Sequence, residues 1–129
     1  MGLDYLMDSN VIIEYTGKKF TGSAERALDA AFNGNFYYSI VTRIEVLGFQ
    51  GTAAVLQGLQ DFLDLSHQYG VTDAIANQTI LIRRAFPKIK TPDALIAASA
   101  LLHNHTLLSR NTDDFKKVPG LKVIDPHTL

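Results

Sequence analysis

Along the chain, short runs of apolar, β-branched and aromatic residues alternate with longer stretches of helical spacing. That alternation predicts an α/β domain built on a largely parallel sheet. Leu3 to Met7 reads as a first strand and Val11 to Tyr15 as the helix behind it. Beyond the Lys18, Lys19 and Gly22 loop, Ser23 is placed to cap a second helix through Phe32, which Asn33 and Gly34 end. Phe36 to Ile40 reads as the second strand. Helices are then expected over Thr42 to Phe49, Ala53 to Leu63 and Thr72 to Phe86, with Gly51 breaking the first two. Thr91 opens a further helix to His103, Thr106 to Leu108 is a short strand, Asn111 to Phe115 a helical turn, and Leu121 to Ile124 a last strand.

Composition narrows the class. With 129 residues, 47% hydrophobic and 19% charged, the chain suits one core and one domain over residues 1–129. Twelve basic against thirteen acidic residues leave a net charge of −1, so nucleic acid could be held only by a local patch. The absence of cysteine excludes disulfides, thiolate zinc sites and cysteine nucleophiles, and suggests a reducing cytoplasm. The start, MGLDYLMDSN, has neither the basic flank nor the apolar run of a signal peptide, and Leu6 breaks the Gly2 myristoylation pattern. Ala94 to Ser109 is interrupted by Ser99, His103, Asn104 and His105, too polar for a membrane span.

Four polar positions carry candidate chemistry, and each also reads as a helix cap. Asp8 lies where the first strand meets its helix, with Ser9 and Asn10 as alternative caps. Thr42 and Glu45 have the spacing of a capping box. Thr91 and Pro92 suit an N-cap and first turn, with Asp93 favoured by the helix dipole. Asn111 could cap a turn containing Asp113 and Asp114. Capping does not explain why Asp8, Asn111 and Glu45 should gather at one sheet edge, the edge where doubly wound sheets bind ligands. Two carboxylates about 4 Å apart repel by roughly 4 kcal/mol at an effective dielectric near 20. A divalent cation with oxygen ligands would offset that cost, and Mg²⁺ and Mn²⁺ match the residue types.

These segments resemble the PIN-domain ribonucleases, especially the VapC-type toxins of type II toxin–antitoxin modules. The likeness runs through LMDSNVII, SIVTRIEVLGF, TPDALIAASALLHNHTLLSRNTDDF and VPGLKVIDP. It implies a three-layer PIN-like sandwich whose central, mostly parallel sheet is flanked by helices. Asp8, Glu45 and Asp93 would be its metal-binding acids, with Asn111 at a fourth position where the family uses Asp or Asn. Ser9, Thr42 and Ser109 match supporting hydroxyls. An amide at 111 lowers the site's charge, and Asp114 stands near enough in sequence to supply the missing carboxylate. The resemblance further implies Mg²⁺- or Mn²⁺-dependent endonucleolysis of RNA, an antitoxin protein as partner, and a homodimer.

Arg43, Arg83, Arg84 and Arg110, with Lys88 and Lys90, are candidates to hold RNA phosphates, or else form a solvated face. Tyr37 and Tyr38 offer stacking surfaces, one ring of the two being expected in the core. His67, His103, His105 and His127 show no triad spacing and read as surface or turn residues. Two rival functions remain at this point. A phosphotransfer domain would use Asp8 as nucleophile, but its pattern wants a second Asp where Asn10 stands. A PIN-fold binding module would have kept the fold without metal affinity.

Overall fold

A computed structural model of the chain describes residues 4–129. Five strands form one sheet: β1 (Tyr5–Met7), β2 (Phe36–Ser39), β3 (His67–Tyr69), β4 (Thr106–Leu108) and β5 (Val123–Ile124). Their order is β3-β2-β1-β4-β5, and every neighbouring pair is parallel. Seven α-helices connect or flank them: α1 (Ser9–Thr16), α2 (Gly22–Asn33), α3 (Ile40–Leu47), α4 (Ala53–Leu63), α5 (Asp73–Ala85), α6 (Thr91–Leu102) and α7 (Thr112–Phe115). A 3-10 turn, Pro126–Thr128, follows the last strand.

Strand alternation divides the core into two layers. Met7, Phe36, Tyr38 and Leu108 face one side, where Val11, Ile12, Leu28, Phe32, Leu59 and Leu63 bury against them. Leu6 and Leu107 face the other, meeting Ile75, Ile82, Ile96, Ala97, Ala100 and Phe115. Leu6 and Leu107 are register partners, as are Met7 and Leu108, so each pair feeds one core. The result is the three-layer α/β sandwich. The ends of β1 and β4 lie side by side at the sheet's centre, and β1 has its neighbours on opposite sides, which opens the crevice expected at a switch point.

Most expected elements are present, and the differences have local causes. Leu3 lies outside the described residues, and β1 begins at Tyr5. Helix α3 starts at Ile40 instead of Thr42, because the Ser39 hydroxyl accepts the Val41 amide and caps it. The Thr42–Glu45 capping box therefore does not form. Thr42 is buried in the first turn with its Oγ1 unpartnered among the described residues. Helix α2 begins at Gly22 behind Thr21, and Ser23 donates to the Leu129 carbonyl instead of capping. Thr91 is the first residue of α6, whose N-cap position belongs to Lys90. Strand β3 has no counterpart in the sequence reading: HQY is three mostly exposed residues at the sheet edge, without apolar alternation to mark it.

Candidate active site

Asp8 follows β1 directly and is 5% exposed. Its Oδ1 accepts the Ser9 amide at 2.8 Å, so it does cap α1. Its Oδ2 accepts the Ser109 hydroxyl at 2.6 Å, from the segment just after β4. Asn10 links the same two segments: its Nδ2 lies 3.4 Å from Asp8 Oδ2, and its Oδ1 accepts the Arg110 amide at 3.2 Å. Ser109 Oγ also accepts the Asn111 amide at 3.0 Å, so one buried hydroxyl aligns Asp8 with the loop carrying Asn111.

Glu45 stands in the last turn of α3, where its Oε1 accepts the Ser9 hydroxyl at 2.6 Å. Asp93 stands in the first turn of α6, partly exposed. Asn111 occupies the N-cap position of α7 without capping it; its Nδ2 instead lies 3.5 Å from both Asp93 Oδ2 and Asp114 Oδ2, at the limit of hydrogen bonding. Ser9, Asn10, Ser109 and Asn111 thus link Asp8 to Glu45 and to the loop beside Asp93 and Asp114. Thr42 makes no contact of this kind, and its hydroxyl supports neither a cap nor a site residue.

The electrostatics agree with this convergence. Burial raises the Asp93 carboxyl from 3.8 to about 6, and the charges of Asp8, Glu45 and Asp114 push it the same way, against a smaller opposing pull from Lys90. Asp8 is also raised, chiefly by burial with Glu45 adding to it, while the hydroxyls and amide that bond it act in the opposite direction. Among the described residues no three Asp, Glu or His side chains are drawn together as a ligand set around a single point. The oxygens within reach of one another's charge are those of Asp8, Glu45, Asp93 and Asp114, with the Asn111 amide between the last two.

Three of the four candidate RNA-binding arginines have hydrogen-bond or ion-pair partners within the chain, Arg110 at the exposed surface. Arg43 donates to Gln60 on α4 at 3.1 Å, and Arg83 donates to the Pro87 and Ile89 carbonyls. Arg110 pairs with Glu14, which also accepts His127 at 2.8 Å. Arg84 is exposed. Sequence reasoning missed the Glu14 and Asn10 links, whose partners lie about a hundred residues away with no local pattern to announce them. His105 is a correction, since it is buried. Its ring nitrogens meet the Tyr69 hydroxyl at 2.7 Å and the Asp4 carbonyl at 3.0 Å, and burial lowers its pKa. His103 and His67 are exposed but stack on Tyr69 and Tyr37, far from a surface without structure. Tyr38 is the ring that enters the core, as one of the tyrosine pair was expected to.

A family model of the PIN domain matches residues 5–121. The chain belongs to the PIN-domain family. Over 36 residues this PIN domain is 50% identical to ribonuclease VapC1 of Rickettsia felis, a match covering 28% of this chain and 27% of that protein. It resembles a chain of a toxin–antitoxin complex from Klebsiella pneumoniae, with a TM-score of 0.78 and 28% identity over 95% of this chain and 98% of that one. The VapBC2 structure from Rickettsia felis, bound to a DNA fragment from its promoter, shares the fold with a TM-score of 0.79 at 20% identity, over 95% and 98% of the two chains. Among the described residues no helix is long and apolar enough to cross a membrane.

Proposed function

We propose that this PIN domain is a divalent-metal-dependent endoribonuclease and the toxin of a type II toxin–antitoxin pair. The observation that carries the reading is the hydrogen-bonded chain through Ser9, Ser109 and Asn111, which joins Glu45 to Asp8 and Asp8 to the loop beside Asp93, and the charges of Asp8 and Glu45 add to the burial that raises Asp93. Such mutual repulsion is what a bound cation would relieve. The donors are carboxylate, amide and hydroxyl oxygens with no sulfur, a set that fits Mg²⁺ or Mn²⁺. The toxin–antitoxin and ribonuclease names of its relatives point to RNA as substrate and to an antitoxin as partner.

Asp8 and Asp93 would hold the ion, with Glu45 and Asn111 completing its surroundings and Asp114 in reserve. When bound, the ion supplies a water of lowered pKa and neutralises charge developing on the scissile phosphate. Ser109 and Ser9 aim Asp8 by donating to its two oxygens and favour its ionised form against the effect of burial, and Ser9 holds Glu45 beside it. Water as nucleophile leaves 5′-phosphate and 3′-hydroxyl ends. An apolar cavity of about 1030 Å³ between α1, α2 and α4, lined by Ile13, Phe20, Phe49, Val55, Leu59 and Phe62, supports a seat for the antitoxin. Its tail could extend a basic side chain toward the acidic site. Exposed Ile44 on α3 and Ile80 and Leu81 on α5 support the pairing of two copies.

The test is incubation of purified protein with a mixed RNA pool, with and without Mn²⁺, and mapping of the cut ends. Cleavage only with Mn²⁺, leaving 5′-phosphates, is expected. Cyclic 2′,3′-phosphate ends or metal-independent cleavage would overturn the mechanism.

A further inference from the structure

Arg83 stands in the last turn of α5, and its guanidinium turns toward the connection that follows. Nη1 donates to the Pro87 carbonyl at 2.7 Å and to the Ile89 carbonyl as well. Residues 86–90 are the entire link between α5 and α6, so one side chain holds two of its five carbonyls. The other fixings include the backbone bonds from Phe86 to Ile82, from Ile89 to Phe86 and from Ala94 to Lys90, together with the buried Ile89 and partly buried Phe86 side chains.

The helix that follows starts without the usual support. Its N-cap residue is Lys90, which offers no side-chain acceptor to the first-turn amides. Pro92 stands in its first turn and fixes its own φ, but adds no bond to the preceding loop. Asp93 sits in that same turn, its Oδ2 3.5 Å from Asn111 Nδ2, among the like charges of Asp8, Glu45 and Asp114. With no side-chain cap, this turn is tied at its start by the Ala94 amide bond to the Lys90 carbonyl and by the buried Ala94, so whatever fixes residues 87–90 also fixes where the turn begins.

We propose that Arg83 is a positioning residue, whose grip on the Pro87 and Ile89 carbonyls sets the start of α6 and so holds Asp93 beside Asn111 in the acidic site. Arginine suits this role: its charge is permanent, its fork is rigid, and charge-assisted bonds to carbonyls are stronger than neutral ones. Its place at the C-terminal end of α5 also favours the helix dipole. A phosphate-binding arginine would present a free fork to solvent, whereas the Nη1 donors here are spent on the chain itself.

The consequence for catalysis rests on the proposed metal-dependent nuclease reading; the structural consequence does not. The experiment therefore has two arms, on Arg83→Ala and Arg83→Gln, the latter too short to reach both carbonyls. In the first arm, amide hydrogen exchange is measured on the metal-free protein. Exchange at the Ile89 and Ala94 amides, which bond the Phe86 and Lys90 carbonyls, is expected to quicken by about 10-fold or more, while amides in β1 and β4 stay as protected as before. In the second arm, RNA cleavage is followed at several salt concentrations. kcat is expected to fall on the order of 10-fold with KM and its salt dependence unchanged, and Arg83→Lys should recover part of the loss through one carbonyl.

Wild-type exchange at the Ile89 and Ala94 amides in either variant would overturn the clamp. So would a raised KM with kcat intact and a salt slope reduced by about one, the signature of a lost phosphate contact. Should Arg83→Ala fail to fold, Arg83→Gln decides by the same criteria. A wild-type protein without Mn²⁺-dependent cleavage would sink the nuclease reading and leave the exchange arm to judge Arg83.

Discussion

The Ser9 hydroxyl donates to Glu45 Oε1 at 2.6 Å, joining the first turn of α1 to the last turn of α3 across 36 positions of sequence. The same residue's amide donates to Asp8 Oδ1 at 2.8 Å, so Ser9 spaces two acids that repel each other. Ser9→Ala keeps the amide bond, frees Glu45 and removes a longer hydroxyl contact of 3.4 Å to Asp8 Oδ1. Stability is expected to change by no more than about 1 kcal/mol, the usual net worth of a hydrogen bond with exposed ends. RNA cleavage at limiting Mn²⁺ should fall more than cleavage at saturating Mn²⁺. Equal losses at both concentrations would place Glu45 outside the ion's surroundings.

Asp8→Asn and Asp93→Asn should each lower cleavage by about 100-fold or more, equivalent to at least about 2.7 kcal/mol of barrier. Folding should persist in both, because the change removes a charge that its neighbours oppose. Circular dichroism and a cleavage time course check the two halves. Undiminished cleavage by Asp93→Asn would remove that residue from the site.

The raised carboxyls predict an unusual pH dependence for the metal-free protein. A native pKa of about 6 for Asp93, above its ordinary 3.8, means that the folded state binds the proton more tightly than the unfolded state does. Stability from this group is therefore present below about pH 4 and is lost as pH rises through about 6. Asp8 acts in the same direction. Denaturant melts between pH 4 and 7 should show the slope, Asp93→Asn should flatten it, and Mn²⁺ should reverse it by favouring the ionised form. A wild-type slope in Asp93→Asn would mean that another group is responsible.

Asn111→Asp adds a carboxylate beside Asp93 and Asp114. Lower metal-free stability and tighter Mn²⁺ binding are expected together, the added charge being worth on the order of 1–4 kcal/mol at contact distance before desolvation. If Asp114 already supplies that charge, Asp114→Asn weakens Mn²⁺ binding and Asn111→Asp gains little. Asp113→Asn is the exposed comparison. Calorimetric titrations unchanged in all three would separate this segment from the metal site.

Expression of the wild-type protein without a partner should slow bacterial growth, and Asp8→Asn should abolish the effect. Equal toxicity of both forms would detach growth arrest from the acidic site.

Sequence alone determined the α/β class, because strand and helix periods are written locally in the apolar pattern. The buried strand Thr106–Leu108 and the helix Ala53–Leu63 are found at the residues read for them. It also singled out Asp8, Glu45 and Asn111 as polar positions that a parallel sheet would bring towards one edge, and the family resemblance added Asp93 to them. Local pattern had no access to how those acids are held. The capping box at Thr42 is locally plausible, yet Ser39 starts the helix two residues earlier and leaves Glu45 to bond Ser9 instead. Arg43, Arg83 and Arg110 look like free cations in sequence, and only the packed chain gives them Gln60, the Pro87 and Ile89 carbonyls, and Glu14 as partners. His105 becomes buried because β3, three polar residues long, brings Tyr69 to its ring. Periodicity follows from covalent geometry and is legible residue by residue. The partner of a hydroxyl or a guanidinium is chosen by the tertiary structure, because the groups that compete for it are brought together only when the sheet forms.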